Sequence, residues 1–243
     1  MSVAGQIGRA AGGSLVQRAM DAVTAHIRDN GLRVGDTLPG EGHFASQLGV
    51  SRAVMREAFG ALAALRLIDV ANGRRARVGA MDGAVMAASL DHAVSTAQVT
   101  VPEIWDVRRT IELRTAELAA TERTDEEAAR IVALAEAMAA DRDDFAAMTG
   151  HDIAFHEAIA LASHNGLFVQ IVKSFGPLME VAVPAAWRTR VAEQRRETMI
   201  ERHRAVAEAI ARQDPINAAM AMSAHFDASI GDLLKSQDAG QPR

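Results

Sequence analysis

From Pro102 onward the chain reads as one helix after another, with few strand signals between them. Asp125 opens a helix through about Ala140, and residues 145–162, 165–183, 188–212 and 216–235 each carry apolar residues at helical spacing. Pro177 and Pro184 disturb the second of these last four, and Asp214-Pro215 separates the final two. Of the 243 residues 49% are hydrophobic, yet only 4% are aromatic and Tyr is absent. The core must therefore be built from Ala, Leu, Ile, Val and Met, and so Ala-rich a sequence favours helix. The expectation for this part is an all-α bundle of six or seven helices.

The length suits two modest domains better than one. Residues 1–80 hold ten Arg and six acids, a net of +4, whereas residues 81–243 hold 16 basic and 25 acidic residues, a net of −9. A basic head on an acidic body fits a nucleic-acid-binding head. Our division is a DNA-binding domain at 1–80, a connector at 81–100 and the bundle at 101–243. There is no cysteine, which excludes disulfides and thiolate metal sites. No apolar run approaches the roughly 18 residues of a membrane span, and MSVAGQIGRAAGG lacks the apolar centre of a signal peptide. We expect a cytoplasmic protein with no membrane partner.

Within the head, Ser14 reads as an N-cap with Gln17 as its capping-box partner, and Asn30-Gly31 ends that helix. VGDTLPGE is a turn-rich link. A short helix covers about Glu41 to Leu48, Gly49 breaks it, and Ser51 caps a second helix through about Leu65. Two helices joined by LGVS read as a helix-turn-helix. On the second, Val54, Ala58, Leu62 and Leu65 form an apolar stripe, and Arg52 and Arg56 form a cationic front near the N-terminus. LIDVANGRRARV then places Asn-Gly between two β-capable runs, the signal of a type I′ hairpin, with Arg74, Arg75 and Arg77 on its loop and returning strand. A basic two-stranded wing beside a helix-turn-helix points to a winged DNA-binding domain.

GDTLPGE, LGVSRAVMREA and the glycine-tipped wing resemble the N-terminal domain of the GntR family of transcription regulators. The resemblance implies phosphate or base contacts from Ser51, Arg52 and Arg56, and backbone or minor-groove contacts near Gly73 and Arg74. Two positions depart from the family pattern: Gly42 stands where Arg is usual, and Arg66 where Gly is usual.

In the bundle, HDIAFHEAIA puts Asp152 and His156 four residues apart on one helix face with Ile159. A buried carboxylate needs a partner. His203 lies on a stripe with Met199, Val206 and Ile210, and His225 on one with Ala218, Ala221 and Met222, so both point inward. One carboxylate oxygen and three imidazole nitrogens suit a borderline divalent ion: zinc first, with nickel or manganese as alternatives. Read from spacing alone, these residues are equally well four hydrogen-bonded core groups.

IWDVRRTIELRTAELAA, HDIAFHEAIALASHN and ERHRAVAEAIARQDPINAAMAMSAHF resemble the FCD effector domain of the FadR subfamily of GntR regulators, from about Ile104 to His225. That resemblance implies Asp152, His156, His203 and His225 as metal ligands, and Arg108 as a residue facing the effector pocket, where its planar donors suit a carboxylate. Asn165 matches a family position as well and is read either as an effector contact or as an N-cap. Arg109 reads as a surface residue, His151 and His164 as peripheral, and Trp187 as lining either the pocket or a dimer face.

The fold expected is thus mainly α: a winged helix-turn-helix followed by the bundle. The function expected is a metabolite-responsive transcription regulator, a homodimeric repressor on an inverted-repeat operator, released by a small organic or sugar acid bound at the metal. The alternative is a metal-dependent hydrolase or lyase using the His₃Asp site, in which the metal activates water. That alternative leaves the basic wing without a purpose.

Overall fold

The computed structural model describes residues 14–189 and 193–240, with side chains described outside 185–195 and 230–240. The chain divides into two units, Met1–Val85 and Met86–Arg243.

The first unit opens with α1, Leu15–Asp29. Ser14 caps it by accepting from the Gln17 N–H at 3.1 Å. Gln17 does not return the bond: its side-chain amide donates forward to Asp21 at 2.9 Å, so only half of the expected capping box forms. The helix stops at Asn30, and Gly31 turns the chain at φ 61°. α2, Glu41–Leu48, ends on Gly49 in the left-handed conformation. α3, Arg52–Ala64, starts at Ser51, whose hydroxyl accepts from the Val54 N–H. The buried stripe of α3 is Met55, Ala58, Phe59 and Leu62. This corrects the expected stripe by a fraction of a turn: Val54 is half-buried and Leu65 is exposed. The reason is size, since Met55 and Phe59 fill the space under α1 and α2, where Phe59 meets Phe44 ring to ring at 6.0 Å.

The wing consists of β1, Ile68–Asp69, and β2, Arg77–Val78, paired antiparallel. It is not the expected type I′ hairpin. Pairing Ile68 with Val78 puts Gly73 itself at the middle of the connection, whereas a two-residue turn has its centre between Asn72 and Gly73. Only Gly73 enters the left-handed region, at φ 72°, and the turn closes with Arg74 N–H donating to the Ala71 carbonyl at 3.1 Å. A type I′ turn needs positive φ at both central residues. The link before α2 lies alongside β2: Gly35 N–H donates to Val78 O, Val78 N–H to Asp36 O and Leu38 N–H to Ala76 O, all within 2.9 Å. Leu38 is thereby fully buried, which explains the GDTLP stretch as a third strand of backbone beside the wing.

Where α3 gives way to the wing, Arg66 stands in the left-handed region at φ 58°. Only glycine occupies that region without steric cost, which accounts for the glycine usual here in the family. Gly79 N–H donates to Leu67 O at 3.0 Å, and a Cβ at Gly79 would lie 2.5 Å from the Arg66 carbonyl oxygen. Glycine at 79 is required by this close approach.

α4 is Ala84–Ser95. The second unit continues with α5, Val101–Glu122, and α6, Asp125–Ala140, opened by the capping boxes Thr100/Glu103 and Thr124/Glu127. α7 is Phe145–Ala162, with Asp144 as N-cap. The single helix expected at 165–183 is two: α8, Gly166–Ser174, and α9, Gly176–Thr189, bent by 47° at Phe175. Pro177 sits in the first turn of α9, where its missing N–H removes no helical bond, and Pro184 lies inside the helix. α10, Glu193–Ala211, and α11, Pro215–Gly240, complete the bundle. α5 packs on α11 and α7, and α10 packs on α11 and α6. Phe155, Ile159, Ile131, Met138, Ile200, Val206 and Phe226 form its apolar centre. α7 is buried on nearly every side, which places the Asp152–His156 face deep within the bundle. No single helix among the described residues is long and apolar enough to cross a membrane.

Candidate functional site

Four helices bring their polar residues to one cavity in the second unit. Arg108 comes from α5, Asp152 and His156 from α7, His203 from α10 and His225 from α11, and all five line the same space with Trp105, Val183, Met199 and Ser229. His156, His203 and His225 each offer a ligand nitrogen, and these lie within 4.8 Å of one another. Asp152 joins the cluster, with its Oδ1 3.1 Å from His203 Nε2. All four are buried. The cavity measures about 20 Å³, on a scale where one water needs roughly 10–15 Å³.

The orientation of two imidazoles is set from behind. His203 Nδ1 lies 2.9 Å from the Met199 carbonyl, so Nδ1 carries the proton and Nε2 faces Asp152. His156 Nδ1 lies against the Glu112 carboxylate, which leaves its Nε2 as the ligand atom. Imidazoles held this way by a carbonyl and a carboxylate are the usual support of metal-bound histidines. The donor set therefore fits a divalent ion.

Arg108 is only 3% exposed. Its Nε–H donates to Glu112 Oε1 at 2.7 Å, and its guanidinium lies 5.1 Å from the Trp105 ring centroid and 5.4 Å from that of Phe226. Burial raises the Glu112 pKa, but the charges of Arg108 and His156 and their hydrogen bonds outweigh it, so the carboxyl is held below its usual range. Asp152 behaves likewise. Burial opposes its ionisation, while the His203 hydrogen bond and the charges of His156, His203 and Arg108 bring its pKa down to about 2. The Trp105 indole N–H is buried and has no acceptor among the described residues.

Glu112 escaped the sequence reading. Its signal is the four-residue spacing from Arg108 in WDVRRTIE, a pattern that surface ion pairs share. Asn165 is not brought to the cavity. It is exposed, and its side-chain oxygen caps α8 by accepting from Leu167 and Phe168 N–H groups, so the capping alternative is the one the fold uses. Arg109 ties α5 to α11 through Asp227 and Ser223. His151 pairs with Asp141 and His164 with Glu127, both away from the cavity. The side chain of Trp187 lies outside the described residues.

In the first unit, Ser51, Arg52, Arg56, Gly73 and Arg74 are all exposed. Arg52 and Arg56 project from the first two turns of α3. The Arg52 guanidinium lies over Gly42, where a Cβ would sit 3.6 Å from Nη2. Arg56 stands 3.9 Å from Glu41, a solvent-exposed pair of little weight. Arg66 is paired with Asp82 at 3.1 Å.

A winged helix-turn-helix with exposed arginines, followed by a helical body around a polar cavity, defines a DNA-binding transcription regulator. Comparison with known proteins agrees. The model of the bacterial regulatory proteins of the gntR family matches residues 15–78, and that of the FCD domain matches residues 103–228. The Glc operon transcriptional activator of Escherichia coli (strain K12) is 32% identical over 190 residues, covering 76% of this chain and 75% of that one. The transcriptional regulator LutR of Bacillus subtilis (strain 168) is 26% identical, covering 86% of this chain and 95% of its own. The galactonate operon transcriptional repressor of Escherichia coli (strain K12) is 27% identical over 186 residues, or 74% and 80% of the two chains. A Streptococcus agalactiae GntR structure shares the fold, with a TM-score of 0.67 at 21% identity over 88% of this chain and 97% of that one. The chain belongs to the GntR family of transcription regulators and carries the family's FCD domain. These relatives are transcription regulators, and none of them supports the hydrolase or lyase alternative.

Proposed function

We propose that this regulator is a repressor whose DNA binding is released by a small organic acid seated at a divalent metal and Arg108. The observation that carries the reading is that Arg108 and the three imidazoles line one buried cavity. Asp152, His156, His203 and His225 would hold the ion, and nitrogen-rich ligation of this kind favours zinc over magnesium or calcium. The ion would supply a positive charge for the acid's carboxylate. Arg108 adds a planar cation to the same wall. The Trp105 N–H supplies a donor that no described protein group uses, and a buried donor left unmade costs about 1–3 kcal/mol. A cavity of about 20 Å³ has room for about one water, so any acid, and sugar acids most of all, requires the lining to move. That a relative is named for a galactonate operon supports an acid effector.

The DNA contacts belong to Ser51, Arg52, Arg56, Gly73 and Arg74. One head offers few contacts, so the reading includes a homodimer that places two heads on an inverted repeat, acting in the cytoplasm. An effector shifts DNA affinity only by preferring one arrangement of the heads, and a coupling of about 1–3 kcal/mol changes affinity roughly 5–150-fold.

Fluorescence anisotropy of operator DNA, titrated with a panel of two- to six-carbon hydroxy, keto and sugar acids, tests the reading. One acid should lower operator affinity in the wild type and leave it unchanged in Arg108→Ala. An acid that binds by calorimetry without altering operator affinity would exclude the switch.

A further inference from the structure

Glu112 is 1% exposed, at the centre of the bundle. A carboxylate in that position is tolerated only with partners, and it has two. Its Oε1 accepts from Arg108 Nε at 2.7 Å, and its Oε2 is in close contact with His156 Nδ1. One buried group therefore holds both the arginine assigned to the effector and one imidazole assigned to the metal. We infer that Glu112 is a positioning residue that couples these two halves of the site, an inference resting on the metal and effector roles proposed above.

The chemistry is one-directional. A carboxylate only accepts, and neutral imidazole has one donor nitrogen and one acceptor nitrogen. Contact with Glu112 therefore assigns the proton of neutral His156 to Nδ1 and leaves the Nε2 lone pair facing the cavity. The same carboxylate fixes the Nε edge of Arg108 and so the direction of its other nitrogens. Any shift of Arg108 toward a bound acid moves the carboxylate that orients His156. His203 has no such link, because its Nδ1 is held by the backbone carbonyl of Met199. Of these two, His156 is the ligand through which effector and metal feel each other. Glutamine at 112 breaks this arrangement, since it offers one acceptor oxygen to two donors and its amide NH₂ accepts from neither.

Two measurements on the full-length protein decide the matter. The first uses the wild type alone: nitrogen-15 NMR of metal-free protein, at a pH where His156 is neutral, should show the Nδ1–H tautomer. A predominant Nε2–H tautomer overturns the inference without any variant. The second is zinc affinity by competition with a chromophoric chelator, with thermal melts reporting the fold. Glu112→Gln should bind zinc about 10–100-fold more weakly and lose the tautomer preference. In a double-mutant cycle, Arg108→Ala should alter zinc affinity in the wild type and have no further effect in Glu112→Gln. If the wild type binds zinc and Glu112→Gln binds it equally well, the metal stands and the coupling falls. If the wild type takes up no zinc, the metal reading falls and the coupling with it.

Discussion

His203 Nε2 lies 3.1 Å from Asp152 Oδ1, joining α10 to α7 within the bundle. The pKa of Asp152 in the folded protein, about 2, lies below its usual 3.8. A carboxyl depressed on folding stabilises fully above its unfolded pKa and loses that contribution as pH falls toward the folded value. Metal-free protein should therefore lose about 2 kcal/mol from this group between roughly pH 4 and pH 2. Urea midpoints measured through this range should fall in the wild type, and Asp152→Asn should flatten that part of the profile. An equal slope in both proteins would show that Asp152 is not the group responsible.

Purified protein should carry about one divalent ion per chain, held through four side chains. Elemental analysis of protein never exposed to chelator checks this, and an ion-free result would refute it. His203→Ala should lower the metal content without abolishing the fold, because Phe155, Ile159 and Val206 build a core that does not depend on the ion.

Arg52→Ala and Arg56→Ala should each weaken operator binding by about 1–3 kcal/mol if they read bases. Both side chains are exposed on the first two turns of α3, so neither loss should lower the melting temperature. Gel shifts showing wild-type affinity in both variants would remove α3 from the recognition role.

Arg66 and Gly79 make opposite predictions a short distance apart. Arg66→Gly relieves a left-handed arginine, a strain of about 1–2 kcal/mol. It loses the exposed pair with Asp82 and frees the unfolded chain, each a cost of up to about 1 kcal/mol. Stability should stay level or rise slightly. Gly79→Ala presses a methyl into the Arg66 carbonyl and should cost about 1–3 kcal/mol. Denaturant melts that rank the two the other way round would contradict the geometry of this junction.

Much of this site was legible because its spacing is helical. Asp152 and His156 lie one turn apart, and His203 and His225 each sit on an apolar stripe, so inward projection followed from periodicity. Glu112 was hidden by the same rule, since an arginine and a glutamate four apart look the same on a wet face and in a core. In the head, the α3 stripe differs from the one periodicity predicts, because α-period alone does not say that Met55 and Phe59 outrank Val54 and Leu65 for the interior. The wing departs from the hairpin that Asn-Gly predicts because its register is set by neighbours: Ile68 faces inward at one end and the GDTLP backbone pairs with Val78 at the other. Asn165 shows the converse, where a family match pointed to a ligand and two nearby backbone N–H groups claimed the side chain.

The wing is unevenly built. At its base, β2 is held on one side by β1 and on the other by Gly35, Asp36 and Leu38. Beyond Ala76 the backbone is tied by the Ala71–Arg74 turn, and that is where Arg74 and Arg75 stand. Stiffness thus falls along the finger as positive charge rises. Anchored backbone resists opening and sparsely bonded backbone does not, so whatever these two arginines grip must also bring the tip to order, at about 1–2 kcal/mol for each residue it fixes. Such a finger holds its position firmly and its shape loosely: the base sets where the charge arrives, and the tip adapts to what it finds there.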